Sequence, residues 1–137
     1  MTMGCPHNSC SSPGFWNIPY NSLLNMDLTH CTRVIAFADN LLVLTQGKCA
    51  LDPENYANQD LKKIETWTRE NKVHFNENKS NTLLATTKTS GDNRTPNIYL
   101  NNKCLEQSGL KYLGIYFNSR LSFDRHVDYI REKRLLL

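Results

Sequence analysis

The first part of the chain combines a segment rich in turn-forming residues with a segment of helical apolar spacing. Residues 4–14 are rich in Gly, Pro, Ser and Cys and predict a loop. Apolar residues then recur with roughly helical spacing as far as Thr29, and Pro13 suits the first helical position. Pro19 distorts the first turn because proline has no backbone N–H to donate. We therefore predict a loop followed by a helix.

Two apolar runs, residues 34–38 and 41–44, lie on either side of the polar pair Asp39-Asn40. The runs are too short for independent helices, and they are rich enough in Val, Ile, Phe and Leu to be strands buried on both faces. Asp and Asn tolerate the positive φ of a two-residue turn. The pattern therefore predicts a β-hairpin with Asp39-Asn40 at its turn.

A strong helix start follows, with Asp52 as the N-cap and Pro53 at the first helical position. The predicted helix ends near Asn71-Lys72. Its apolar face consists of Ala57, Leu61, Ile64 and Trp67. Both Trp67 and the earlier Trp16 are expected to be core residues rather than platforms for base stacking.

The remainder of the chain has short strand and turn patterns. Asn101-Asn102 predicts a tight hairpin turn, and Ser122 is predicted to cap a final helix. Three further segments predict strands: residues 73–75, 82–86 and 111–117. The order of elements predicts an α+β fold with helices on one face of an antiparallel sheet. The apolar, uncapped end at residues 135–137 leads us to expect that the natural helix continues.

Composition narrows the class of protein. With 137 residues, 39% apolar and 21% charged, the chain has the mixture of an ordinary globular domain. It has no apolar run of about 20 residues and no basic and apolar leader, so we expect an intracellular protein (cytoplasm or nucleus) without a membrane segment. The net charge of +3 permits an anionic partner without showing one.

The five cysteines are scattered and odd in number, which favours unpaired thiols in a reducing compartment. The alternative is a zinc site formed by Cys5, His7, Cys10, His30 and Cys31. Adjacent ligands such as His30 and Cys31 are awkward for one tetrahedral ion, and no Cys-x2-Cys spacing occurs. Unpaired thiols are therefore the preferred interpretation.

Asp39 is the first candidate for a functional residue. A charge at the tip of a buried hairpin is costly unless it meets solvent or a cation. A carboxylate on a rigid turn suits Mg²⁺, which takes one or two protein carboxylates and fills its octahedron with water and phosphate oxygens. Taken alone, an Asp-Asn pair is usually only a turn, so the surrounding motifs decide the interpretation.

Several motifs accompany the hairpin in a fixed order. Gly4-Cys5-Pro6-His7-Asn8-Ser9 precedes Ala36-Phe37-Ala38-Asp39-Asn40, and residues 64–67, 73–80, 111–115 and 121–127 follow. This ordered set resembles the Gly-x-Pro-Gln-Gly-Ser loop, the Ala-[Tyr/Phe]-Ala-Asp-Asp hairpin and the downstream motifs of reverse transcriptases from non-LTR, insect-type retrotransposons. The resemblance covers essentially the whole chain.

The resemblance implies part of the palm of a right-hand polymerase over residues 1–117 and the start of its thumb over residues 118–137. It also implies synthesis of DNA on an RNA template from a DNA primer and dNTPs, with two Mg²⁺ ions. The resemblance implies Asp39 as a metal ligand, Asn40 at the second acidic position and Lys79 as a general acid. It implies that the template and nucleotide loop consists of Pro6, His7, Asn8 and Ser9. It also implies a primer-supporting hairpin formed by Tyr112, Leu113 and Gly114. From the residues alone, Lys79 is equally a solvated turn lysine, and Gly114 is equally a bulge in an ordinary strand.

Three positions depart from the family pattern. Asn40 removes a negative charge beside the metals, and His7 and Asn8 replace Gln and Gly. The resemblance also implies an earlier palm strand that carries a second metal-binding aspartate. We expect this sequence to lack that strand, and we therefore expect the isolated chain to be catalytically silent and poorly soluble, with an unpaired hairpin edge. Two alternatives stay open: a non-catalytic nucleic-acid-binding module, and a translated relic of a decayed element. Oligomeric state is left undecided.

Overall fold

The computed structural model describes residues 20–86 and 94–135, and the chain divides into two compact units, Met1–His74 and Phe75–Leu137. Both units contain helix and strand, so the mixed α+β class is confirmed. The described strands form four separate two-stranded sheets, whereas the pattern predicted one antiparallel sheet. The predicted loop at residues 4–14, Pro13, Trp16 and Pro19 lie outside the described residues.

The described part of the first unit contains two helices and one hairpin. Helical residues 20–24 form α1, strands β1 (Thr32–Phe37) and β2 (Asn40–Thr45) form an antiparallel pair, and α2 spans Leu51–Asn71. Helix α2 packs on both strands. Among the described residues of this unit, the buried apolar ones are Tyr20, Leu23, Ala57, Ile64 and Trp67.

A fully buried carboxylate joins α2 to the segment that leads into β1. Asp60 Oδ1 accepts hydrogen bonds from the backbone N and the hydroxyl of Thr29, both at 3.0 Å. Lys63 Nζ lies 3.7 Å from Asp60 Oδ1 and donates to the carbonyl of Asp27 at 2.8 Å. Because a buried charge is costly unless it is hydrogen-bonded and paired, these contacts fix the segment to the helix.

The same segment explains why α1 ends earlier than predicted. The helical pattern extended to Thr29, but helical structure stops after residue 24. Asn25 donates through its side chain to the carbonyl of Asn21 at 2.8 Å, and Thr29 N is bound by Asp60 instead of by a helical carbonyl. A tertiary acceptor therefore replaces the helical hydrogen bond.

Trp67 is a core residue, as predicted, and it packs α2 against α1. Its ring stacks on Tyr20 with centroids 6.1 Å apart, and its Nε1 donates to the Ser22 hydroxyl at 2.8 Å. A buried indole usually finds a hydrogen-bond acceptor, and Ser22 supplies it here.

The end of α2 is confirmed, but its start is not. Lys72 closes the helix in the left-handed region, with φ 55°. The helix begins at Leu51 with Ala50 as N-cap, so Asp52 lies inside the first turn. Asp52 N already donates to the carbonyl of Cys49, which starts the helical turn earlier, and the Asp52 carboxylate accepts from the backbone N of Lys48 and Cys49 at 3.2 and 3.3 Å.

The hairpin strands are covered on one face, although the pattern predicted burial on both. Val34 and Ala36 are half-buried, whereas Ile35 and Phe37 between and after them are 46% and 59% exposed. Among the residues that the structure describes, no third strand pairs with the hairpin. The expectation of poor solubility stays a prediction, and this apolar face supports it.

The described part of the second unit consists of short strands, one 3₁₀ turn and a helix. Its buried residues include Pro96, Ile98 and Leu100. Its elements are the turn Glu77–Lys79, β3 (Asn81–Thr82), β4 (Tyr99–Leu100), β5 (Lys103–Cys104), β6 (Glu106–Gln107), β7 (Leu110–Tyr112), β8 (Ile115–Phe117) and α3 (Asp124–Leu135). Strands β3 and β6 pair in parallel, while β4 with β5 and β7 with β8 form antiparallel hairpins.

Two of the strands predicted in this region are absent or much reduced. Residues 73–76 are irregular, because the Asn76 side chain accepts from Asn78 N at 2.9 Å and the Asn76 carbonyl accepts from Lys79 N at 3.1 Å. These bonds close a 3₁₀ turn in place of a ladder. The strand predicted over residues 82–86 is reduced to Asn81–Thr82.

The predicted turn at Asn101-Asn102 is confirmed, with φ values of 50° and 63°. The strand predicted over residues 111–117 is instead the β7–β8 hairpin, because Leu113 and Gly114 take φ values of 49° and 82° and reverse the chain. A glycine adopts positive φ with little steric strain, so the turn forms at Gly114.

Helix α3 begins at Asp124, two residues after the predicted cap. The Ser122 hydroxyl donates to Asp124 Oδ2 at 2.7 Å, and Ser122 N donates to Asn118 Oδ1 at 3.0 Å. Ser122 thus orders the turn before the helix rather than capping its first amides. Within residues 20–86 and 94–135, no helix combines the length and the apolar character needed to cross a membrane.

We predict that Asp60→Ala lowers the free energy of unfolding by about 3 kcal/mol, because Thr29 N–H and its hydroxyl lose their buried acceptor. Urea unfolding followed by tryptophan fluorescence measures this, since Trp67 is buried in the same unit. The control is Asp128→Ala, which removes an exposed pair with Arg131 and is expected to change stability by less than about 0.5 kcal/mol. Equal effects of the two substitutions would contradict the role of Asp60.

Candidate functional site

The hairpin turn lies one residue earlier than the sequence predicted. Asn40 is the first residue of β2 and pairs with Phe37, so the turn consists of Ala38 and Asp39. Ala38 has a positive φ of 51°, which is sterically unfavourable for a residue with a Cβ. Pairing up to Phe37 leaves only two residues to reverse the chain, and this constraint accounts for the unusual conformation.

This geometry places the Asp39 carboxylate at the exposed tip of the hairpin. Asn40 is also exposed, but it is held by the strand ladder rather than by the turn. The two side chains that the sequence grouped together therefore belong to different elements. Asp39 is the one presented by the turn.

The donor set at this tip fits one carboxylate ligand of a magnesium ion. Mg²⁺ is commonly held by one or two protein carboxylates, with water and phosphate oxygens completing the shell. Asp39 is exposed and can supply such an oxygen, and the Asn40 amide adds a neutral one. The described part of the chain contains no group of three or more His, Cys, Asp or Glu side chains that could hold a metal by themselves. A metal ion at this tip would therefore need further ligands.

Tyr20 of α1 lies close enough to the tip to sense its charge. Burial, and to a smaller extent the negative charge of Asp39, raises the pKa of the Tyr20 hydroxyl above its ordinary value. A cavity of about 250 Å³ between α1 and the hairpin is lined by Tyr20, Asn21, Leu24, Ala36 and Ala38. Sequence reasoning did not select Tyr20 as a site residue.

The predicted template and nucleotide loop, Pro6, His7, Asn8 and Ser9, lies outside the described residues. The same holds for Cys5 and Cys10 of the disfavoured zinc site. Of that set the structure describes His30, which is exposed, and Cys31, which is half-buried with a free thiol.

Lys79 is the last residue of the 3₁₀ turn, and its side chain is exposed. It belongs to the second compact unit, whereas Asp39 belongs to the first. Its assignment as a general acid therefore stays a prediction.

Tyr112, Leu113 and Gly114 form the bend of the β7–β8 hairpin. Tyr112 pairs with Ile115, and Leu113 projects from the turn with 52% of its surface exposed. The Tyr112 hydroxyl is buried, and no described residue forms a hydrogen bond with it. The three residues are thus a hairpin turn rather than a bulge in a strand, and their contact with a primer stays a prediction.

Comparisons with known proteins give a consistent result. The family described as "Reverse transcriptase (RNA-dependent DNA polymerase)" matches residues 1–117. The "Retrovirus-related Pol polyprotein from type-1 retrotransposable element R1" of Nasonia vitripennis is 28% identical over 124 residues, which cover 88% of this chain and 37% of that protein. The protein of the same name from Bradysia coprophila is 29% identical over 136 residues, which cover 98% of this chain and 13% of that protein.

A third relative is the "Probable RNA-directed DNA polymerase from transposon X-element" of Drosophila melanogaster. It is 30% identical over 134 residues, which cover 95% of this chain and 14% of that protein. The chain therefore spans between 13% and 37% of the length of these three relatives. No solved structure matches it.

We predict that Asp39→Asn lowers the pKa of Tyr20 but leaves it above 10.0, because burial is the larger cause of the shift. Alkaline titration by tyrosine absorbance, with Tyr20→Phe subtracted, measures the value. Since the folded-state pKa exceeds the unfolded one, the contribution of Tyr20 to stability is full below about pH 10 and is lost as the pH rises through the folded pKa. An unchanged pKa in Asp39→Asn would show that Asp39 does not act on Tyr20.

Proposed function

The chain belongs to the reverse transcriptase family of non-LTR retrotransposons, and on this premise we propose that it supplies the hairpin carboxylate for RNA-directed DNA synthesis. Residues 1–117 would form part of the polymerase palm and residues 118–137 the start of the thumb. The end of the family match at residue 117 supports this boundary. The partners would be an RNA template, a DNA primer and a dNTP.

The observation that carries the proposal is the position of Asp39. Its carboxylate is exposed at a two-residue turn. The opposite end of the hairpin is fixed to α2, so the carboxylate is presented to solvent on a constrained backbone. In nucleotidyl transfer, bound Mg²⁺ ions would activate the primer hydroxyl and stabilise the leaving pyrophosphate. Asp39 would hold metal on the hairpin side, together with ligands from outside the described residues.

Asn40 weakens this site. It occupies the second acidic position of the family hairpin, where its amide oxygen can still reach a cation but carries no charge. Loss of one negative charge a few ångströms from a divalent ion costs about 1 to 2 kcal/mol even at the dielectric constant of water. We therefore propose that the purified chain binds metal weakly and does not by itself extend a primer.

The remaining assignments follow from the family and complete the proposal. Lys79, exposed at the end of its turn, would donate a proton to the leaving pyrophosphate. Tyr112, Leu113 and Gly114 would support the primer end, and Leu113 is the side chain of this turn that offers the most apolar surface. Residues 6–9 would contact template and nucleotide.

A second candidate, non-catalytic binding of nucleic acid, is favoured by the exposure of the basic residues. Lys72, Lys79, Lys103, Lys111, Arg125, Arg131 and Arg134 are all exposed. Several already have partners within the chain: Lys103 donates to the Asn78 side chain, and Arg131 lies 3.8 Å from Asp128. Binding through such residues would weaken steeply with salt.

Metal binding at the hairpin tip can be measured without catalysis. We predict that Mn²⁺ broadens the amide NMR signals of Asp39 and Asn40 and that Asn40→Asp tightens this binding about tenfold, through the restored charge. Asp39→Ala should abolish the broadening. Asp27→Ala, at an exposed aspartate of the same unit, is the control and should leave it unchanged. Broadening that survives Asp39→Ala would contradict the proposed ligand.

Primer extension separates the proposed function from its alternatives. We expect the purified chain to bind an RNA:DNA hybrid with an affinity that falls as salt rises, and to show no Mg²⁺-dependent extension. Extension that is abolished by Asp39→Ala would contradict the silent state. Hybrid binding without Mn²⁺ at Asp39 would favour the non-catalytic module, and the absence of both activities would favour the relic.

A further inference from the structure

Helix α3 is held to the β7–β8 hairpin although none of its described residues is buried. Its apolar side chains Val127 and Ile130 are 45% and 49% exposed. The helix nevertheless packs against β8. Burial of an apolar stripe, the usual way to attach a surface helix, therefore accounts for little of this contact.

Part of the attachment is a lysine that contacts two neighbouring tyrosine rings. Lys111 of β7 pairs across the hairpin with Tyr116 of β8, and its Nζ lies 5.0 Å from the Tyr116 ring centroid. The same Nζ lies 4.9 Å from the ring of Tyr129 on α3. The two rings meet edge to face with centroids 5.1 Å apart. One hairpin cation thus contacts a ring from each element, within the range of cation–π attraction.

A second cation makes the reverse contact. Arg125 of α3 places its guanidinium carbon 5.1 Å from the Tyr116 ring. Arg125 and Tyr129 are four residues apart and therefore share a face of the helix. The approach is close to Gly109, where a Cβ would lie 3.1 Å from Arg125 Nη1 and would require the guanidinium to shift slightly. The hairpin offers a cation to the helix ring, and the helix offers a cation to the hairpin ring.

We propose that this reciprocal cation–π cluster, formed by Lys111, Tyr116, Arg125 and Tyr129, fixes the direction in which α3 leaves the hairpin, with Lys111 as the central positioning residue. Lys111 and Arg125 then act first on the tyrosine rings rather than as independent contacts to phosphate. If the proposed function also holds, the cluster connects the primer-supporting turn, which starts at the next residue, Tyr112, to the first thumb helix. The positioning role itself requires neither metal nor nucleic acid.

Lys133 provides a matched control on the same ring. Its Nζ lies 6.0 Å from the Tyr129 centroid, at the outer limit of a cation–π contact, and it comes from α3 itself. Replacing Lys133 removes the same charge as replacing Lys111, but it leaves the contact between hairpin and helix intact. The two lysines therefore distinguish positioning by the cluster from a general effect of charge.

The test is amide hydrogen exchange across the full chain, read in α3. Lys111→Met and Tyr129→Leu are expected to raise exchange rates in α3 by roughly threefold to tenfold, the factor for losing contacts of this kind. Lys111→Arg and Tyr129→Phe, which keep a cation and a ring, should retain most of the protection, and Lys133→Met should change little. Amides of β4 and β5, which lie in the same unit as α3, report whether that unit is folded in each variant and should not change.

Two results would overturn the proposal: unchanged exchange in Lys111→Met, or equal increases in Lys111→Met and Lys133→Met. Because the measurement uses no cation or nucleic acid, its failure would leave the assignment of Asp39 untouched. Conversely, a failure of Mn²⁺ binding at Asp39 would leave the cluster untouched. The two proposals can therefore be rejected independently.

Discussion

The first unit depends on the hydrogen bonds between Asp60 and Thr29. A two-stranded hairpin is marginal by itself, so its root must be attached to another element. Thr29 N is held by Asp60 of α2, and the Thr29 carbonyl accepts from Thr32 N at 2.8 Å, where β1 begins. At the same end, Gln46 N donates to the Cys31 carbonyl at 3.1 Å. The buried carboxylate thus connects the helix to the first residue of the strand.

A fixed root has a consequence at the other end of the hairpin. With the register set from Thr32 opposite Thr45 to Phe37 opposite Asn40, two residues remain for the turn. Ala38 takes the positive φ, and Asp39 stays at the tip without burial. The conformation of the candidate site therefore follows from the pairing of β1 with β2. Helix α2 fixes this pairing at the opposite end of the hairpin, near Thr32.

The features that sequence predicted correctly are those determined by neighbouring residues. Asn101-Asn102 forms its predicted turn because Asn tolerates positive φ. Lys72 closes α2 because the apolar stripe of the helix ends just before it. The role of Asp60 depends on Thr29, 31 positions earlier. A carboxylate within the stripe of Ala57, Ile64 and Trp67 was the available signal. Its partner could not be identified from spacing.

The candidate site shows the same division. The motifs identified the family and selected Asp39, since their order along the chain does not require knowledge of the fold. The position of the turn, the proximity of Tyr20 and the cation–π cluster all arise from contacts between elements. Short strands such as β7 and β8 have too few ladder bonds for their pairing to be predicted from periodicity. The glycine that marks their turn was interpreted equally well as a bulge.

Asp39 and Asp60 show how burial decides what one side-chain type can do. Asp60 is fully buried, and its hydrogen bonds to Thr29 commit its oxygens to the fold. Asp39 is exposed on a constrained turn, so its oxygens remain available to a cation. Each role requires its own environment. A buried carboxylate without hydrogen-bond partners destabilises the fold, and an exposed carboxylate on a flexible segment does not order a ligand. Under the proposed function, the buried aspartate therefore helps to hold the hairpin that presents the exposed one.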